Sequence, residues 1–123
     1  MRKILVAEDS AAMRGLIVAT LEAMDDFTII EVENGFEALR VLPREKVDLV
    51  ITDINMPDIN GLELVRFIRS QPQYQSTPLL IISTEGSEKD REKGLALGAN
   101  SYLNKPFQPE ALQGLVSRLL GQE

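Results

Sequence analysis

The chain has 123 residues, the size of one domain, and is 44% hydrophobic and 26% charged, which excludes disordered, collagenous and mucin-like chains. It contains neither cysteine nor histidine; disulfide frameworks, thiol nucleophiles, Cys- or His-ligated metals, Ser-His-Asp catalysis and a histidine phosphocarrier are therefore ruled out. Thirteen Lys and Arg against nineteen Asp and Glu leave a net charge of -6, which argues against a domain that grips a phosphate backbone.

In chain order, the opening Met1-Arg2-Lys3-Ile4-Leu5-Val6-Ala7 is too short for a secretory signal. No apolar run approaches the ~20 residues of a membrane helix, so a cytoplasmic domain is expected. Ile4-Leu5-Val6-Ala7 predicts a first strand, and Met13, Leu16, Ile17, Thr20, Leu21 and Met24 lie at the spacing of a helix. Thr28-Ile29-Ile30 predicts a second strand, after which Asn34 and Glu37 have the spacing of a capping box. Leu49-Val50-Ile51-Thr52 predicts a third strand, followed by the turn-rich Asn55-Met56-Pro57-Asp58-Ile59-Asn60-Gly61. The polar stretch 71–78 reads as a surface loop before a fourth strand, Leu79-Leu80-Ile81-Ile82.

Ser87 and Asp90 suggest another capping box, opening a helix over 88–97. Its first six residues are charged, and its interior glycine costs about 1 kcal/mol relative to alanine. The segment reads either as a solvated surface helix or as one of low local stability that can shift. Gly98 can stop it in a left-handed conformation. Tyr102-Leu103 predicts a fifth strand, Pro109 suits a first helical position, and Leu112, Leu115, Val116, Leu119 and Leu120 form a last stripe.

Five strand–helix units result, in one domain over residues 1–123. Strands one, three and four are apolar without alternation, as when helices cover both faces of a parallel sheet. Right-handed crossovers then give a doubly wound open α/β sheet.

Ligands of such sheets sit beyond the carboxyl ends of the strands. Glu8 and Asp9 follow strand one, Asp53 strand three, Ser83 and Thr84 strand four, and Lys105 strand five. Each has an ordinary reading alone. Acids at a helix start complement its dipole, Asp53 suits a turn, Ser83-Thr84 a helix entry, and most lysines are merely solvated. Their joint placement on four strand ends points to chemistry. Three clustered carboxylates need a proton or a cation among them, and an all-oxygen set with room for water suits Mg²⁺ or Mn²⁺. A carboxylate beside such an ion, a lysine and a hydroxyl is a site for phosphoryl transfer.

At these residues the sequence resembles the receiver domain of two-component response regulators, above all single-domain CheY-like proteins. The carriers are Glu8-Asp9-Ser10, Asp53-Ile54-Asn55-Met56-Pro57 with Gly61, Ser83-Thr84-Glu85, and the stretch from Gly98-Ala99-Asn100 to Lys105-Pro106-Phe107. The resemblance implies a flavodoxin-like (βα)5 sheet of order 2-1-3-4-5. It implies that Asp53 accepts a phosphoryl group from a phosphohistidine, that Glu8, Asp9, Asp53 and the Asn55 carbonyl position Mg²⁺, and that Lys105 contacts the phosphoryl group. It further implies a cis Lys105-Pro106 bond, a Ser83 hydroxyl that moves onto the phosphoryl oxygen, and a Tyr102 ring that swings into the vacated space. Asn55, Thr84 and Glu85 would tune access and hydrolysis.

Glu8 stands where Asp is commoner, Ser83 where Thr is commoner, and Thr84 where a small residue is usual. Without histidine the chain cannot supply its own phosphohistidine, so a histidine kinase, a phosphotransfer protein or a small donor such as acetyl phosphate must do so. The chain ends soon after the last helix, so the expected output is a changed surface around the fourth helix, fifth strand and fifth helix that binds a downstream protein, with chemotaxis as the expected role. The expected protein is a monomer without direct nucleic-acid or membrane contact, and not an enzyme beyond its own phosphorylation and dephosphorylation. Three rivals are weaker. A degenerate receiver serving as a constitutive interaction module would have lost part of the intact acid–lysine set. A dehalogenase-type phosphatase needs Asp-x-Asp after its first strand. A flavin carrier would not place Glu8-Asp9-Ser10 against a phosphate.

Overall fold

The computed structural model describes residues 1–24, 26–84 and 88–121. Its elements are β1 (Lys3–Ala7), α1 (Ala11–Glu22), β2 (Thr28–Val32), α2 (Gly35–Val41), β3 (Leu49–Thr52), α3 (Gly61–Ser70), β4 (Leu79–Ser83), α4 (Glu88–Leu97), β5 (Ser101–Asn104) and α5 (Pro109–Leu119). The five strands are parallel in the order β2-β1-β3-β4-β5, the doubly wound sheet expected from the sequence.

The absence of alternation in the central strands has a direct cause. Leu5, Ala7, Val50, Leu79 and Ile81 point to one face and pack with α2 and α3 residues such as Ala38, Leu64 and Ile68. Ile4, Val6, Leu49, Ile51, Leu80 and Ile82 point to the other, against Ile17 and Leu21 of α1 and Leu112 and Val116 of α5. Each fully buried Leu or Ile is worth roughly 1.5–3 kcal/mol over leaving it exposed, so a polar residue at any of these positions would be costly.

Some boundaries differ from the sequence reading. β2 runs on to Val32 and β5 takes in Ser101 and Asn104, because ladder pairing with the neighbouring strand continues past the apolar residues. The 71–78 loop contains a 3₁₀ turn at Pro72–Tyr74. Leu16 is 46% exposed instead of sharing the α1 stripe. The inward face of α1 centres on Ile17 and Leu21, and Leu16 lies about a third of a turn away from that centre.

The helix signals near Asn34 and Pro109 stand, the first in modified form. Asn34 accepts from the Glu37 amide, but the Glu37 carboxylate reaches the Glu33 amide at 3.0 Å. Pro109 opens α5, and Gly98 ends α4 with φ of +119°. The suggested Ser87 cap lies outside the described residues. Gly94 has a packing reason: a Cβ there would lie 2.6 Å from Ile81 Cδ1, so its small size lets α4 approach β4. It is the one buried residue of α4, consistent with a weakly anchored helix.

A complete capping box that the sequence reading passed over starts α3. Asn60 accepts from the Glu63 amide at 2.9 Å, and Glu63 accepts from the Asn60 amide at 3.0 Å. Replacing Asn60 with Ala is expected to lower stability by about 1 kcal/mol. Urea unfolding checks this through a lower midpoint at unchanged slope; an unmoved midpoint would show that the cap contributes nothing.

Candidate functional site

The site is built by backbone ladders that run one residue past the strands. The Glu8 amide donates to the Val32 carbonyl, the Asp53 amide to the Ala7 carbonyl, and the Lys105 amide to the Ser83 carbonyl. Each bond ties a functional residue to the end of the neighbouring strand, so the register that buries the core also brings these residues to one edge.

There, Glu8, Asp9 and Asp53 each offer a carboxylate oxygen within 4.8 Å of the others. Glu8 and Asp53 are buried and Asp9 is exposed. The Lys105 ammonium lies 2.5 Å from Glu8 Oε1 and 3.5 Å from Asp53 Oδ2, with its side chain 6% exposed. It enters beside a cis Lys105-Pro106 bond. One lysine thus faces three acids. At an effective dielectric constant of about 20, two carboxylates this close repel by on the order of 3 kcal/mol, less where water reaches Asp9.

Other contacts fix the acids. Glu8 Oε2 accepts from the Ser10 amide at 3.1 Å, and Asp53 Oδ1 accepts from the Ile54 amide at 2.8 Å. Ser10 also caps α1 through the Met13 amide. Gly61 sits so close to the Asp53 backbone that a Cβ would lie 2.8 Å from the Asp53 carbonyl carbon and run into its oxygen. Glycine is therefore needed to bring α3 up behind the acid.

The sequence reading missed Arg14. From the first turns of α1 it donates to the Glu8 carbonyl at 2.6 Å and pairs with Glu31 at 3.2 Å. Its place one helical turn behind the acidic pair was the available signal. Of the remaining predicted residues, Ser83 is fully buried at the end of β4, Tyr102 is half-buried against the α3 side of the core, and Asn55 and Thr84 are exposed. Glu85 lies outside the described residues.

The donor set fits a small hard cation. Its ligands are all oxygen, one side opens to solvent at Asp9 and Asn55, and with the acids ionised the excess over Lys105 is the charge of one divalent ion. Mg²⁺ would be held by Asp9 and Asp53, with Glu8 engaged at the same time by Lys105.

The sequence matches the response regulator receiver domain over residues 4–117. It is 39% identical to a chemotaxis protein CheY homolog of Campylobacter jejuni over 120 residues, covering 97% of this chain and 92% of that one. The fold superposes on the chemotaxis response regulator CheY4 of Vibrio cholerae with a TM-score of 0.89 at 37% identity, covering 98% and 99% of the two chains. It also superposes, with a TM-score of 0.89 at 30% identity and 98% coverage of each, on the receiver domain of a Pseudomonas aeruginosa sensor histidine kinase that has a magnesium ion coordinated in its active-site cleft. The chain belongs to the receiver domains of two-component systems. Within them it is CheY-like.

Burial pushes the Glu8 carboxyl above its ordinary value of 4.5; the Lys105 and Ser10 contacts oppose the rise and Asp53 adds to it. Because the folded-state value is raised, the metal-free protein draws stability from protonated Glu8 in acid and loses it as pH climbs through the window above 4.5. Cation binding has the opposite sign, since an ionised Glu8 adds attraction. Mg²⁺ titrations at about pH 7.5 and about pH 5 should show weaker binding in acid, and Glu8→Gln should flatten that dependence. Equal affinities at both pH values in the unsubstituted protein would contradict this electrostatic picture.

Proposed function

We propose that the chain is a cytoplasmic phosphorylation switch of the chemotaxis type, loaded on Asp53 by a histidine kinase or phosphotransfer protein. The observation that carries this reading is a buried carboxylate held by its own loop amide on one oxygen and facing the Lys105 ammonium with the other. Such a carboxylate is anchored, aimed and flanked by a cation where negative charge would accumulate.

In the reaction, an Asp53 oxygen attacks the phosphorus of a phosphohistidine. A P–O bond forms as the P–N bond breaks, its electron pair stays on the imidazole, and the ring takes a proton from solvent to leave as neutral imidazole. The product is an acyl phosphate on Asp53. Lys105 stabilises charge on the phosphoryl oxygens, which requires it to exchange some of its contact with Glu8 for the incoming group. Mg²⁺, with Mn²⁺ as a substitute, would supply charge neutralisation when held by Asp9, Asp53 and the Asn55 carbonyl, with Glu8 contributing its charge from beside Lys105. Hydrolysis of the acyl phosphate, in which water takes the phosphoryl group as inorganic phosphate and the Asp53 carboxylate is restored, resets the switch without an added phosphatase; Asn55 and Glu85 are the tuning positions that the family resemblance implies. Thr84, exposed next to Ser83, narrows the approach to the phosphoryl group.

Output follows from two packings of one chain. A phosphoryl group on Asp53 rewards an inward Ser83 hydroxyl with a charge-assisted hydrogen bond, and the half-buried Tyr102 ring takes the space released. The surface that changes is α4–β5–α5. The weak burial of α4 favours this, since a helix with one fully buried residue, Gly94, and a partly buried Leu97 against the core repacks at small cost. The target is a protein, met by a monomer of this chain.

Incubation with acetyl phosphate and Mg²⁺ should add one phosphoryl group, detected by intact mass, and Asp53→Asn should abolish the gain. In the same assay Thr84→Ala should speed both loading and decay. An unmodified wild-type protein, with its fold intact, would favour a constitutive interaction module instead.

A further inference from the structure

Positive charge and exposed aromatic surface coincide at α2, away from α4–β5–α5. Four adjoining hollows surround this short helix and the turn that follows it. The largest, about 560 Å³, lies between α2 and the sheet face of β2. Phe36 is 54% exposed and Phe67 of α3 is 42% exposed. Phe36 and Leu39 line one hollow, Leu39 and Phe67 the next, so an apolar track runs across the α2–α3 groove.

The charges beside the track are uneven. Arg40, Arg44 and Lys46 line these hollows and are exposed. No ion pair to any of the three is found among the described residues. Two acids share this lining: Glu45 is paired with Lys3 at 2.8 Å, and Glu37, which accepts from the Glu33 amide, offsets one of the three cations. In a chain of net charge -6, this leaves a local basic surplus around an apolar groove.

We propose that the α2 face is a docking site for an acidic amphipathic helix of a partner protein. Its apolar side would cover Phe36, Leu39 and Phe67, and its carboxylates would meet Arg40, Arg44 and Lys46. A second copy of this chain fits less well, because a two-fold contact would set the same basic rim against itself. The site is independent of phosphorylation at Asp53, and it adds a second surface to the one that switches.

The test uses the full chain, labelled with ¹⁵N, and synthetic helical peptides about four turns long. One peptide carries Leu on one face and Glu on its flanks; its twin carries Lys in place of Glu. The acidic peptide should shift amide signals of residues 35–46 and those around 67, with affinity falling between about 0.05 and about 0.5 M salt. Arg40→Glu combined with Arg44→Glu should weaken it by about ten-fold or more, as should Phe67→Ala; these exposed changes should leave the circular dichroism unaltered. Equal binding of both twins, shifts confined to α4–β5–α5, or no shifts would overturn the proposal. So would self-association of the free protein through this face, or binding to anionic vesicles without binding to the acidic peptide.

Discussion

A buried ammonium group is tolerated only where counter-charge surrounds it, and Lys105 meets that condition through Glu8 and Asp53. The same contacts leave the acids over-supplied, because Asp9 joins them within reach. This imbalance is the constraint on which the rest depends. It calls for a divalent cation and keeps Asp53 beside a positive charge. Removing the lysine would strand two buried carboxylates; removing one acid would loosen the lysine.

The sheet exists, in functional terms, to hold that imbalance still. Parallel strands bring their carboxyl ends to one edge, and the ladders continuing through Glu8, Asp53 and Lys105 transfer the rigidity of the core to the charged groups. Gly61 lets α3 close behind Asp53, and Arg14 pins the Glu8 carbonyl from α1. Against this fixed base, α4 is held lightly, with Gly94 as its buried contact. A stiff charge cluster beside a loosely packed helix is what a binding-coupled switch requires.

The readable parts of the sequence were those with one dominant physical cause. Apolar runs such as Leu79-Leu80-Ile81-Ile82 read as strands because both sheet faces are covered, and acids at several strand ends converge because parallel topology leaves them no alternative. Contacts that depend on side-chain reach were hidden. Arg14 crosses to Glu8 and Glu31, and Lys105 chooses Glu8 more closely than Asp53. Leu16 failed as a core residue because a stripe drawn by spacing is wider than the face a neighbouring sheet can cover. The Asn60–Glu63 box has the spacing of a helix start, but it lies among Pro57, Asp58 and Gly61, whose local preference for a turn is the stronger signal. Glu8 showed its charge in the sequence, whereas the burial that raises its carboxyl needed the fold.

The cluster also explains why the acidic character of the chain and the basic surplus at α2 do not conflict: one concentrates negative charge around a cation, the other leaves positive charge facing outward. The most direct check is anomalous diffraction from crystals soaked in Mn²⁺. A single anomalous peak bridging Asp9 and Asp53, with Lys105 still against Glu8, is the expected result. A peak elsewhere, or none at Mn²⁺ concentrations that saturate binding in solution, would contradict the shared-cation site.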